Sequence, residues 1–172
     1  MKKLTFLLVT ALLLLTSCGK EKSFDENLQK AWQSMGNTMA YSAEVGDEIY
    51  KTWHTAIFDH KTPSGKYCSD FNDALDELYE TLKEEGKIDS VYHYKNEMID
   101  NTSKLTPPPS SRKDCYDDFV ALVSEISSLS RMATEPSGSL KTYNEQIREK
   151  GETIVRLVEQ FKIKYSEYLD NK

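Results

Sequence analysis

The sequence predicts an all-α protein, an elongated up-down-up-down four-helix bundle, and three observations carry that prediction. Apolar residues recur in steps of three and four over most of the chain, the spacing that lines one face of a helix. Alternation at period two, the mark of a half-buried strand, is nowhere sustained. All five prolines fall in three places: Pro63, the run Pro107-Pro108-Pro109, and Pro136. Proline lacks the N–H and clashes with the preceding helical turn, so three proline stations mark three junctions between four helical segments.

The first segment opens at Ser23-Phe24-Asp25-Glu26, a Ser-x-x-Glu capping box in which each side chain can satisfy the other's free backbone N–H. Leu28, Trp32, Met35, Met39, Ser42, Gly46, Ile49, Trp53 and Ala56 then form the seam of one long helix. Gly46 within that seam costs about 1 kcal/mol of helix propensity, which predicts a close backbone approach as compensation. Residues 61–68, with Pro63-Ser64-Gly65, make the first loop.

The second segment opens at Ser69 and carries Phe71, Leu75, Leu78 and Leu82 in phase. After Gly86 the phase slips to Ile88, Val91, Tyr92, Met98 and Ile99. A continuous helix with a local kink is favoured, because Glu85-Gly86-Lys87 is short for a reversal and the triple proline is a far stronger stop. The alternative is five helices, if the chain reverses at Gly86.

In the third segment Cys115, Phe119, Leu122, Ile126, Leu129 and Ala133 step regularly until Glu135-Pro136-Ser137-Gly138-Ser139. Ser139 can cap a fourth helix with the seam Tyr143, Ile147, Gly151, Ile154, Val158, Phe161, Tyr165 and Tyr168. Short loops between long helices give antiparallel neighbours. At ~1.5 Å per residue the bundle is a rod about 45–55 Å long, and the shorter third helix leaves one end three helices thick.

The N-terminus divides the chain further. Lys2 and Lys3 precede a run of about a dozen apolar or small residues, Leu4 to Leu15, too short to cross a bilayer as a helix. That run ends in Leu15-Thr16-Ser17-Cys18, which resembles the bacterial lipobox. The resemblance implies a lipoprotein signal peptide over 1–17, cleavage before Cys18, a diacylglyceryl thioether on the Cys18 sulfur, and acylation (palmitate-type) of the new α-amine. Two or more acyl chains anchor stably where one does not. Residues 18–22 then form a lipidated N-terminus and short tether, and 23–172 the helical bundle domain. Gly19 stands where an aspartate retains some lipoproteins in the inner membrane, so the expected location is the cell envelope, lipid-anchored at the outer membrane.

The chain has 22 basic and 28 acidic side chains, a net charge of −6. Setting aside the two leader lysines leaves 20 against 28, a net −8. An acidic body argues against nucleic acid and against lying on anionic lipid. A mean hydropathy of −0.61, leader included, excludes a second membrane span. The stretch from Pro107 through Tyr116-Asp117-Asp118-Phe119 and Pro136-Ser137-Gly138-Ser139-Leu140 to Tyr143 and Phe161 resembles a segment shared by all-helical bacterial proteins of no assigned activity, many of them lipoproteins. That resemblance supports a helical fold and supplies no function.

The sequence holds little chemistry. Asp89, His93 and Glu97 share one helical face at the spacing metal ligands use, but di-metal bundles use Glu-x-x-His pairs from facing helices, and no Glu-x-x-His occurs. His54 and His60 lie near one end and His93 about 35 Å away, so no metal or other cofactor is expected. Cys115 falls on the core stripe and reads as inert packing. Cys68 precedes the second helix, where the dipole can lower a thiol pKa, yet no base accompanies it. No catalytic residue is assigned, and no enzymatic activity is expected. Pro136-Ser137-Gly138-Ser139 offers backbone N–H groups at a helix start but lacks the phosphate-loop pattern, and reads as a turn. Asp89-Ser90-Val91 matches a short O-glycosylation acceptor, placing a weak candidate modification at Ser90.

Tyr41, Tyr50, Tyr92 and Tyr94 cannot all face one seam, so some aromatic surface is expected to be exposed, as at protein interfaces. The expected function is a membrane-anchored protein-interaction or structural module, tethered through Cys18 and contacting a protein partner. The alternative is a module holding a small ligand or metal between its helices. With Cys18 at the membrane, the loops at 61–68 and 135–139 form the distal tip. Cys68 and Cys115, separated by the length of the second helix, stay unbonded thiols although the compartment is oxidising.

Overall fold

The structure, a computed structural model, describes the backbone of residues 2–169 and the side chains of residues 19–169. The side chains of the expected leader and of Cys18, the expected lipidation site, therefore lie outside the described residues. Five α-helices account for nearly all the described chain: α1 (Lys2–Asp59), α2 (Phe71–Glu84), α3 (Lys87–Ser103), α4 (Lys113–Thr134) and α5 (Leu140–Leu169), with a single 3-10 turn at Ser110–Arg112 before α4.

Two helix starts differ from the sequence expectation. α1 runs unbroken through Ser23, so Ser23 and Glu26 sit inside the helix and no capping box forms. Their backbone N–H groups already have partners one turn earlier, which removes the demand the box would meet. The second segment is capped by Asp70 rather than Ser69. The Asp70 carboxylate accepts from the Asn72 backbone N–H at 2.9 Å. Ser139 does cap α5, its hydroxyl accepting from the Thr142 N–H at 3.2 Å.

The expected continuous second helix is two helices, giving five in all. Gly86 adopts φ 72° and ψ 11°, a left-handed conformation that glycine reaches without a Cβ penalty. Lys87 closes the break by donating to Glu48 (2.6 Å), Glu85 (3.0 Å) and Glu44 (3.1 Å), which hold its ammonium above the ordinary lysine range. Partners along α1 recede in order across the break. Trp53 stacks on Phe71 of α2, Glu48 and Glu44 meet Lys87, Tyr41 stacks on Tyr94, and Ser34 meets Asn101. Gly86 thus redirects the chain without bringing Cys68 to Cys115. The two thiols are free and lie in different clusters.

The core divides into two large clusters. One gathers Phe24, Leu28, Met35, Met98, Phe119, Ile126 and Phe161; the other gathers Val45, Ile49, Trp53, Leu78, Leu82, Val91 and Tyr143. Between them lies a narrow polar layer in which the buried Ser42 and Ser130 hydroxyls share a hydrogen bond of 2.9 Å. Nearby Thr38 returns its hydroxyl to the Ser34 carbonyl at 2.8 Å, so these buried polar groups are satisfied, as burial demands.

Gly46 shows why the seam tolerates a glycine. A Cβ built there would stand 2.9 Å from Ile147 Cδ1, so the space is taken by a side-chain tip of α5 rather than by the close backbone approach the sequence predicts.

The end near the triple proline is clamped by polar contacts. Arg112 binds Asp25 with both forks, at 2.9 and 3.1 Å, and its guanidinium lies 4.0 Å over the Tyr168 ring.

Candidate interaction surface at the loop end

The opposite end of the molecule is built differently. Ala133, Leu140 and Tyr143, which flank the turn between α4 and α5, pack at the level of Trp53 and Leu75. Beyond that level the core is a small separate cluster of Ala56, Cys68 and Ala74, supplied by α1, the first loop and α2. The overhang is therefore two helices thick, thinner than the three-helix end expected from helix lengths. Apolar residues that further helices would cover are left facing outward.

Those residues are Phe58 (64% exposed), Tyr67 (78%), Ile57 and Phe71. Phe58 and Tyr67 are the most exposed aromatic side chains among the described residues. The two histidines of this end pack beside them, His54 at 4.5 Å from the Phe58 ring and His60 at 6.0 Å from Tyr67. Phe71 is propped from beneath by Trp53, stacked at 5.3 Å. Large exposed apolar groups collected in one region mark interaction sites more often than scattered ones do.

The loop that carries Tyr67 is held in shape by its own hydrogen bonds. Thr62 and Lys66 pair at 2.9 Å, the Gly65 N–H reaches the Thr62 carbonyl at 2.9 Å with Gly65 at φ 81°, and the Cys68 N–H reaches the His60 carbonyl at 2.9 Å. The Ser64 backbone N–H donates to Glu77 of α2 at 2.6 Å. Hydrogen bonds from the Ser64 side chain and then its backbone hold the Glu77 carboxyl below the ordinary carboxylate range. A surface ordered before binding loses less entropy on association.

Sequence reasoning placed the exposed aromatic surface elsewhere. Tyr41 and Tyr94 are half-buried and stack on each other at 5.2 Å, and Tyr50 is half-buried beside His54. Tyr92 is exposed. The missed signal was local: Ile57 and Phe58 directly follow seam residue Ala56, and the next two positions of a helix leave the seam.

The remaining sequence candidates are dispersed. His93 lies on α3 beside Tyr94, far along the fold from His54 and His60. Among the described residues no three His, Cys, Asp or Glu side chains gather as metal ligands would. Cys115 is buried among apolar neighbours, and burial pushes its thiol up to about 12. Cys68 is buried beneath the first loop. Ser90 sits in the first turn of α3, half-buried, with its hydroxyl donating to the Gly86 carbonyl at 2.8 Å. Comparison with known protein families, curated proteins and solved structures yields no match, so geometry carries the functional reading.

Proposed function

We propose that this chain is a lipid-anchored cell-envelope protein of non-enzymatic role, a helical spacer that presents an aromatic surface to a protein partner. The signal over 1–17 is removed, and Cys18 carries the diacylglycerol and acyl chains that fix the protein to the outer membrane. Four legs run up-down-up-down, α2 and α3 together making the second. The observation that carries this reading is the overhang: Ile57, Phe58, Tyr67 and Phe71 face outward at the end of α1 away from Cys18. Along α1 that end lies roughly 60 Å from Cys18, at ~1.5 Å per residue. An anchored rod placing its uncovered apolar groups at that distance has the layout of a module reaching away from its membrane.

The test has two arms in intact cells. Cys18→Ala should abolish lipid labelling and membrane partition; label retained on the variant would sink the anchor. A photo-crosslinking amino acid at position 58 should give one discrete protein adduct, lost on Tyr67→Ser, while the same probe at exposed Val155 of α5 should not. Equal adducts at both positions would refute a loop-end interface.

A further inference from the structure

A second site lies on the long face between α1 and α3. There a groove of about 330 Å³ is lined by Lys30, Gln33, Ser34 and Asn37 from α1 and by Tyr94, Glu97 and Asn101 from α3. The register explains the convergence. Positions 30, 33–34 and 37 return to one side of α1 every turn, as 94, 97 and 101 do on α3.

Its floor is polar where an apolar pair would pack more cheaply. Ser34 and Asn101 are 2% and 7% exposed. Burying amide and hydroxyl groups costs free energy unless their hydrogen bonds are made. The Ser34 hydroxyl donates to the Lys30 carbonyl at 3.0 Å. The Asn101 carbonyl oxygen accepts from Lys104 at 2.9 Å, while its amide nitrogen reaches Ser34 only at 3.4 Å. A carboxamide has two N–H donors, so one donor of a nearly buried side chain has no protein acceptor here. Tyr94, stacked on Tyr41, fixes one wall.

We propose that this groove binds a short neutral saccharide. Lys30 and Glu97 carry opposite charges, so the lining is polar without favouring an ion of either sign. Gln33 and Asn37 each present a donor and an acceptor on adjacent atoms, which matches a pair of neighbouring hydroxyls, and Asn101 adds its remaining N–H. The volume lies at the small end of ligand sites, typically ~300–1,000 Å³, and suits one or two sugar units. The groove is about 30 Å along α1 from the loop-end surface, so this inference stands apart from the partner reading.

The test follows the side-chain amide signals of the full chain in detergent by NMR, with maltose, N,N′-diacetylchitobiose and L-alanine as probes. One disaccharide should shift the amides of Gln33, Asn37 and Asn101 saturably, with a dissociation constant on the order of 1 mM. Gln33→Ala/Asn37→Ala, on a solvent-facing part of α1 where alanine favours the helix, should weaken binding tenfold or more. The near-isosteric Asn101→Asp should weaken it similarly. The proposal is overturned if neither disaccharide shifts these amides, if L-alanine shifts them and the sugars do not, or if binding survives the double variant unchanged.

Discussion

Alanine at Gly46 should act differently from alanine at Gly36 or Gly151, although all three lie inside helices. A helix-interior glycine is about 1 kcal/mol less favourable than alanine. At Gly36 and Gly151 a new Cβ meets nothing within 4 Å, so each replacement should realise that gain. For a chain of 172 residues it raises Tm by ~2–4 °C. At Gly46 the new Cβ would stand 2.9 Å from Ile147 Cδ1. Carbon pairs sit best at ~3.5–4.0 Å, so Ile147 must turn. Holding a side chain off its preferred rotamer costs about 0.5–1.5 kcal/mol, which offsets the propensity gain and leaves Tm near its starting value. Gly46→Leu adds an overpacking cost of ~1–3 kcal/mol and should lower Tm. Ile147→Val removes the obstructing Cδ1, so Gly46→Ala made in that background should recover the gain. Thermal unfolding of the six variants measures this directly. If Gly46→Ala stabilises as much as Gly36→Ala, with no coupling to Ile147→Val, then the Ile147 side chain does not take the space at Gly46.

Three further predictions concern the break, the thiols and pH. Gly86→Ala forces a Cβ into the left-handed conformation and should destabilise by about 1–2 kcal/mol in chemical denaturation; an unchanged midpoint would argue for a continuous helix through residue 86. Alkylation of denatured, unreduced protein should label both Cys68 and Cys115, whereas native Cys115 at pH 8 should react roughly a thousandfold more slowly than an exposed thiol, because a pKa of about 12 leaves little thiolate; rapid native labelling of Cys115 would contradict its burial. The hydrogen bond from Lys164 and then that from Tyr165, both at 2.9 Å, hold Asp118 below the ordinary carboxylate range. The stability it contributes is therefore complete above the unfolded pKa near ~3.9 and is lost as pH falls through the lower folded value. Asp118→Asn should cost less than about 1 kcal/mol at pH 7, given the exposure of the pair, and progressively less below pH ~4; a cost that grows on acidification would reverse the sign of this argument.

Much of the fold was legible because helical burial writes a short-range period into the chain. The seam of α4, Cys115 to Ala133, is buried at every position named from sequence, and the glycine in the α1 seam does face a close neighbour. The candidate surface was less legible. Tyr41 and Tyr94 look like spare aromatics one helix at a time, and only their pairing across α1 and α3 shows that they cover each other. The step off the seam at Ile57 and Phe58 is local, but nothing near Phe58 or Tyr67 reports how far α4 and α5 reach, and so whether another helix covers them.

The sequence by itself determined that the chain is helical, where proline forbids continuation, and which stripe of α4 turns inward. Each of these follows from backbone sterics and from spacing within a few turns. Phe71 of α2 and Tyr92 and Ile99 of α3, placed in phase with buried neighbours, are instead exposed. Tertiary structure decided that α1 passes through Ser23 without a cap, that Gly86 adopts the left-handed state, and that α1 and α2 overhang their neighbours. It also brought Ser34 to Asn101, 67 residues apart, at the floor of one groove. Those outcomes depend on which distant surface covers which. Side-chain burial is a property of pairs of elements, and a local pattern specifies only one member of each pair.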